Sequence, residues 1–424
     1  MNLARRVLPL FQLSILCLLL GLGRSGWAQP LQVNALPDGP NGLYIQALQE
    51  DAGVLSLTQA IARFEQGQGM PGDNPILNFG IGSAPTWLQL QLNNPTDRPI
   101  SVMVVTGTTW VDDLQLSLLQ SGNILSQWRT GDALAGARQL VPGIGFVAPL
   151  LIPSGRSELY LRAESADPLV LPIEVMSTEA FQARELQYRF VYGLIYGFLL
   201  SMIVYNSMLF IGLRDRSYLY YSAYLALFAL LNITYTGHGF AWFWPNNPAL
   251  QNHSILLLMV LFGCSGLAFT SSFLSLSRYA PQSHRLLLTL CILALASQAI
   301  NLLFGAQVAE AQTAFIFGLA ASLGMLLLGI VALKHRHVAG HYYLAATFFG
   351  MLGILISTLT VWGLLPFSGW NYGAVKIGII VQAILLALGL SFKVRQQQKG
   401  RMKAERMAER DPLTGLHNPR GFNE

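Results

Sequence analysis

The chain has 424 residues, room for two or three domains, with 53% apolar and 11% charged residues. That balance excludes an ordinary soluble globular protein and points to the membrane. The net charge of +5 does not mark a nucleic-acid binder, because Gln29 to Gln187 carries 7 Arg, no Lys and 15 acidic residues (net −8), whereas Lys393 to Glu424 carries 8 basic and 4 acidic residues (net +4).

Residues 1–28 read as a secretory signal peptide. Arg5 and Arg6 precede the apolar run Val7 to Leu22, and Gly26-Trp27-Ala28 offers a small-residue cleavage site after Ala28. An uncleaved anchor is the alternative. Cys17 lies inside the run behind bulky Leu16, so it is not read as a lipid-attachment site; the other cysteines, Cys264 and Cys291, fall in later apolar segments. The exported part therefore has no disulfide or thiolate chemistry. Its stability is expected from its own core, which about 150 residues can supply.

Residues 29–183 form a candidate extracytoplasmic β-sandwich. Trp87 to Leu92 alternates, with Trp87, Gln89 and Gln91 on one strand face and Leu88, Leu90 and Leu92 on the other, before the turn signal Asn93-Asn94-Pro95. Further strands are expected at Ile100 to Thr106, Leu114 to Leu118, Glu158 to Arg162 and Leu169 to Val175, and a short helix at Thr58 to Phe64. Trp87, Trp110 and Trp128 are the candidate ligand-binding residues, since an exposed aromatic on a sandwich stacks on flat rings; for any one of them the core is the commoner role, because aromatics dominate core packing. Adjacent Asp112 and Asp113 point to opposite faces of an extended chain, which favours a turn over a Ca²⁺ site, and no metal site is predicted.

The motifs Ala84-Pro-Thr-Trp87-Leu, Asn93-Asn-Pro95, Trp110-Val-Asp112, Leu159-Tyr-Leu-Arg162 and Ser177-Thr-Glu-Ala-Phe181 resemble the periplasmic sensor domain of bacterial seven-transmembrane receptors with diverse intracellular signalling modules. The resemblance implies a jelly roll of carbohydrate-binding type.

Residues 188–393 contain seven apolar windows, Phe190 to Leu213, Tyr218 to Gly237, Ile255 to Leu276, Leu286 to Phe304, Thr313 to Leu333, Tyr342 to Leu365 and Val375 to Lys393. Each approaches the roughly 20 residues that span a bilayer, and lipid forces such runs to be helical. Arg214, Arg216, Arg278, Arg285, Lys334, Arg336 and the run from Lys393 occupy alternate loops, which predicts an extracytoplasmic N-terminal side and a cytoplasmic C-terminus. Gly193, Gly197, Gly263, Gly266, Gly350 and Gly353 are expected to allow close helix contact, and Asn206, Asn232, Asn301 and Gln382 to bond between helices. His335, His337 and His341 sit among loop cations and do not read as a metal site. His238, Trp242 and Trp244 read as an interfacial belt. The scarcity of ionisable residues at mid-depth argues against a pump or coupled transporter. Tyr192-Gly-Leu-Ile-Tyr-Gly197, Tyr205-Asn206, Arg214-Asp-Arg-Ser-Tyr218-Leu-Tyr220 and Gly237-His-Gly239 are similar to the membrane region of the same receptor family.

Residues 394–410 are a polar, helix-favouring linker that continues the seventh span. Met402 and Met407 make a thin seam interrupted by Gly400, so a coiled coil and a basic helix held at anionic lipid stay open as alternatives. In residues 411–424, Asp411, Leu413, Thr414, Gly415, Leu416, Asn418, Arg420 and Phe422 match the opening of a GGDEF diguanylate cyclase domain, with Pro419 where that family usually has Arg. The resemblance implies a homodimeric output making cyclic di-GMP, with Mg²⁺ and GTP needed only by a complete domain. Its catalytic elements lie downstream of this motif, so no catalytic residue and no cofactor is assigned to these 424 residues, and a fragment, an interrupted gene or a terminated product would each account for them.

The expectation is a multidomain membrane protein: an all-β jelly-roll-like sandwich, an all-α seven-transmembrane-helix bundle and a cytoplasmic linker helix. The expected function is an inner-membrane sensory receptor, partnered by the bilayer and an unidentified ligand of the carbohydrate class that the resemblance implies, with no nucleic acid. A non-enzymatic membrane-anchored protein that holds carbohydrate or a partner is the alternative, and a transporter the third reading.

Overall fold

The computed structural model describes residues 29–51, 53–136, 139–334, 340–361, 365–366 and 369–409. Its first half is a β-sandwich. The larger sheet runs β3 (Met70–Pro71), β2 (Ile45–Gln49), β5 (Thr86–Asn94), β11 (Gly155–Glu164), β7 (Asp113–Gln120), β8 (Asn123–Thr130), with β1 (Leu31–Gln32) parallel to β5. The facing sheet runs β13 (Glu174–Ser177), β6 (Ile100–Val105), β10 (Gly145–Ile152), β9 (Leu140–Val141), and β12 (Pro168–Leu171) pairs with β4 (Leu77–Ile81). The pleat directs Leu88, Leu90 and Leu92 inward against Val102, Val104, Leu150 and Leu161, all fully buried. The run expected as one strand from Leu169 to Val175 is two, β12 and β13, broken around Pro172.

A nine-residue helix, α1 (Leu57–Glu65), lies over the outer face of the large sheet. Ser56 caps it, accepting from the Gln59 amide while the Gln59 side chain returns to the Ser56 amide. Its Ala60 and Phe64 pack with Leu48, Trp87, Leu119 and Tyr160, which is why Trp87 is buried although it points away from the inner core.

The helical half follows without a linker. Ser177 ends β13 and caps α2 (Thr178–Leu213), its hydroxyl accepting from the Ala180 amide at 3.1 Å. Then come α3 (Arg216–Tyr235), the short α4 (His238–Trp242), α5 (Pro248–Phe273), the short α6 (Leu276–Tyr279), α7 (Pro281–Leu303), α8 (Gln307–Lys334), α9 (Gly340–Val361), the short α10 (Gly369–Tyr372) and α11 (Ala374–Glu409). Six of these, α2, α5, α7, α8, α9 and α11, are long and apolar enough to cross a membrane. The seventh expected span, α3, falls below that mark because it is rich in tyrosine and other polar residues; Tyr218, Tyr221 and Tyr224 face the bundle interior. Tyr221 donates to the Ala383 carbonyl at 2.6 Å and Tyr218 to that of Leu390 at 3.4 Å, both on α11.

The glycines divide. Gly263 faces Phe317, Gly266 faces Met325 and Tyr224, and Gly353 meets Gly378 backbone to backbone, but a side chain at Gly193 or Gly197 would meet nothing. Those two lie on the lipid-facing side of α2, where exposed Phe190, Leu194 and Leu200 surround them, and do not form the close contact expected. Among the embedded amides, Asn301 bonds between helices, to Thr313 at 3.2 Å, whereas Asn206 donates within its own helix, to the Met202 carbonyl at 2.8 Å.

The sandwich core is not its own. Phe240 of α4, 1% exposed, belongs to the sandwich cluster with Leu140, Phe146 and Leu169, and Trp244 packs beside it. The membrane half therefore supplies a plug that about 150 exported residues lack. Phe240→Ala is expected to cost about 3–5 kcal/mol, the usual price of a buried Phe-to-Ala cavity. Tryptophan-fluorescence unfolding of the full-length protein in nanodiscs checks this: a lowered sandwich transition is expected, and an unchanged one would refute the plug.

Candidate functional site

Two places gather polar side chains whose positions the fold dictates. The first is an open cleft of about 370 Å³ on the outer face of the large sheet, between the segment leading into α1 and the strands. Val54 to Leu57 and Gln59 form one wall; Trp87, Gln115, Ser117, Gln127 and Arg162 form the floor. These floor residues alternate outward on four adjacent strands, so their grouping follows from register: Arg162 opposes Trp87 and Gln115, and Ser117 opposes Gln127.

Arg162 is held beneath the cleft. Its guanidinium donates to both Glu50 oxygens, at 2.8 and 3.0 Å, and to Glu164 at 2.8 Å; the Trp87 indole donates to Glu50 at 2.9 Å and the Leu55 amide does so at 3.2 Å. Burial pushes the Glu50 carboxyl up, but Arg162, the Leu55 amide and the Trp87 indole outweigh it and hold it below its ordinary value. With Arg162 neutralised, the cleft offers neutral amide and hydroxyl groups, suited to an uncharged polar ligand.

The second place is the joint between sandwich and bundle. Trp110 stacks on Tyr235 with ring centroids 4.9 Å apart and donates from its indole to the Pro168 carbonyl at 3.0 Å. The Thr109 hydroxyl donates to the Tyr235 carbonyl at 2.6 Å, and the Gly143 amide to that of Thr236 at 2.7 Å. Gly143 has a φ of +80° and lies against the Tyr192 ring, so the glycine serves both the turn and the close approach. Lys376, at the start of α11, donates to the Tyr192 hydroxyl at 2.7 Å. His238 sits edge-on to Tyr192, Tyr196 and Trp242, with Nδ1 2.7 Å from the Thr236 hydroxyl. Burial, then the Lys376 charge, lowers the His238 imidazole to about 4, so it is neutral.

The sequence-predicted residues are scattered among these features. Trp87, 3% exposed, is part of the cleft floor; Trp110 is in the joint; Trp128 packs against the inner core. The structure does not bring the three together. His238 and Trp244, expected in an interfacial belt, are instead enclosed by the joint, and Trp242 alone of the three is exposed. Asp411, Leu413, Thr414, Gly415, Leu416, Asn418, Arg420 and Phe422, with His335 and His337, lie outside the described residues. Sequence reasoning missed Glu50, Phe240 and Glu310. A lone carboxylate in a loop and one aromatic among many carry no periodic signal.

A sandwich seated on the outer end of a membrane-spanning bundle defines a multi-pass membrane protein with an extracellular domain. Residues 188–393 match the family model described as 7TM diverse intracellular signalling, and residues 42–177 match the one described as 7TMR-DISM extracellular 2. The chain thus carries the extracellular and seven-helix domains of a membrane sensory receptor. No curated protein matches it.

Glu50→Gln leaves Arg162 buried with half its partnership and is expected to cost about 3–5 kcal/mol at neutral pH. A carboxyl lowered by folding contributes stability above its ordinary value of 4.5 that is lost as pH falls through the lowered value. Denaturant titrations at several pH values should therefore show the variant with a flatter acid limb than the wild type.

Proposed function

We propose that the protein is an inner-membrane receptor that binds an extracytoplasmic ligand in the cleft beneath α1 and relays its presence to a cytoplasmic diguanylate cyclase. Carbohydrate is the ligand class that suits the neutral Gln115, Ser117 and Gln127 floor. The opening GGDEF motif from Asp411 to Phe422 points to cyclic di-GMP as the output, made by paired domains that would use GTP and Mg²⁺.

The observation that carries this reading is the continuity of α11. It is one 36-residue helix whose first turn holds Lys376 in the joint and whose far end is the linker at Glu409. At 1.5 Å per residue it spans about 54 Å. Movement of the sandwich against Tyr192 and Lys376 thereby reaches the output end through a single rigid element. A ligand drives that movement only by binding one arrangement better than the other.

Lys376→Met is expected to separate sensing from output. In cells, the ligand-dependent change in cyclic di-GMP should fall on the order of tenfold, while the thermal shift caused by the same ligand in the purified full-length protein persists. Loss of both together would make Lys376 structural. The coding sequence beyond codon 424 tests the output separately: an in-frame GGDEF domain supports it, and its absence sinks the cyclase part of the reading.

A further inference from the structure

Three carboxyl groups are buried together in the joint. Asp132 is 1% exposed and Asp167 5%, and Asp112, which precedes both in sequence, is partly buried. The backbone brings them there. Gly131, at a φ of +155°, lets the end of β8 pass against the Asp112 carbonyl, which a Cβ would overlap. The Asp132 amide donates to the Val111 carbonyl at 2.9 Å, and the Ala133 amide to that of Asp112 at 3.2 Å. Asp167 arrives on the loop after β11, whose Ala166 amide donates to Asp112 Oδ2 at 2.8 Å.

Little compensates this burial. Among the described residues, Asp167 Oδ1 and the Thr130 hydroxyl have no hydrogen-bond partner, and Asp112 Oδ1 and both Asp132 oxygens have no donor except each other, a bond that requires one of the two carboxyls to keep its proton. The surrounding charges are engaged elsewhere: Asp113 with Arg129 at 3.0 Å, Glu164 with Arg162 at 2.8 Å, Arg162 also with Glu50 at 2.8 Å, and Glu310 with His253 at 3.1 Å. No described cation pairs with Asp112, Asp132 or Asp167. Burying an isolated carboxylate is very costly, whereas its protonated form is tolerated. A bound cation would be the other remedy, but no three described His, Cys, Asp or Glu side chains are arranged to hold a metal ion.

We propose that Asp112, Asp132 and Asp167 form a proton switch: when they are protonated the sandwich stays seated on the helices, and when they ionise their mutual repulsion loosens the joint. The extracytoplasmic proton is then a second input to the relay, a conclusion that rests on the receptor reading.

The switch touches the helices directly. Gln307, the first residue of α8, donates to Asp167 Oδ2 at 3.2 Å. One turn on, Glu310 is 1% exposed and meets His253 of α5 and, at 3.4 Å, the side-chain amide of Gln298 of α7. The Ser165 hydroxyl accepts from the Asp167 amide at 3.2 Å and donates to the carbonyl of Trp110, the residue stacked on Tyr235. Moving Asp167 away from Asp112 therefore disturbs the loop that holds two contacts with the bundle.

The electrostatics run the same way. Burial, reinforced by Asp112 and Asp167, pushes Asp132 well above the ordinary aspartate range. Burial, then the Asp112 charge, raises Asp167 from 3.8 to about 7, and burial also raises Asp112 against the opposing Ala166 amide. An acid raised by docking binds its proton better docked than released. Docking is thus strongest below the ordinary value of 3.8 and, through Asp167, weakens as pH climbs to about 7, above which that residue adds no further change.

Hydrogen exchange of the full chain in lipid nanodiscs at pH 5, 6, 7 and 8, corrected for intrinsic exchange, tests this. Protection of peptides over 109–113, 164–168 and 305–311 should fall on the order of tenfold per pH unit up to about pH 7 for one linked proton, while β5 stays protected. Asp167→Asn and Asp132→Asn should flatten that dependence, and Asp167→Glu should retain it. Infrared spectra of the wild type, which need no variant, should show a protonated-carboxyl band at pH 5 that disappears toward pH 8. A pH-independent joint, asparagine variants as pH-sensitive as the wild type, or no such band would overturn the proposal. No ligand or output enters these readouts, so their failure would leave the ligand relay standing, and a silent ligand would leave the proton switch standing.

Discussion

The insertion of Phe240 into the sandwich core is the constraint on which the rest depends. A side chain anchored in α4, between the second and third spans, completes an apolar cluster built from both sheets of the extracellular half. Core apolar contacts tolerate little displacement because interiors are close-packed. The two halves are therefore coupled in both position and stability, and β13 running straight into α2 adds a covalent tie on the other side of the joint.

Given that seat, the bundle's polarity makes sense. The tyrosines of α3 that lower its apolar character are the groups that bond to the backbone of α11, and Thr270 and Tyr343 join α5 to α9 by a 2.7 Å bond. These neutral hydrogen bonds align helices without placing charge in the middle of the bilayer, where it is costly. Charge is confined to the two ends: Lys376 against Tyr192 on the outer side, and Lys393 3.5 Å from Asp215 on the other. Both lysines are on α11, so the apolar part of that helix is pinned on either side by a polar contact that can be exchanged.

Much of this was legible in residue order. Alternation located β5, β6, β7 and β11, and the run from Thr58 to Phe64 marked α1, because such patterns are local. All seven apolar windows fall on helices, and six of those helices are long and apolar enough to span, because lipid leaves a long apolar run no other structure. What escaped was whatever two distant segments make together. β10 contains Pro149 and an unbroken apolar run, so it shows no alternation, yet it pairs with β6 over six residues. Trp87 reads as an outward residue and is one, but α1 covers it. His238, Trp242 and Trp244 read as a belt because their composition suits an interface; the sandwich resting on them turns His238 and Trp244 inward and leaves Trp242 exposed. Gly193 and Gly197 have the spacing of a contact motif and no helix opposite, since spacing states what a face permits and not what occupies it.

The same domain treats its buried carboxyls in two opposite ways, and the contrast follows from donors. Glu50 has Arg162, the Trp87 indole and the Leu55 amide, and is held below 4.5; Asp132 and Asp167 have few or none, and burial drives them up. By linkage, the body of the sandwich weakens as pH falls below about 4.5, while the joint weakens as pH rises toward about 7. The two windows barely overlap. Across the interval between them the body of the sandwich is intact while its attachment to the helices titrates, which is the condition a joint must meet if protons are to alter its seat on the helices without unfolding the extracellular domain.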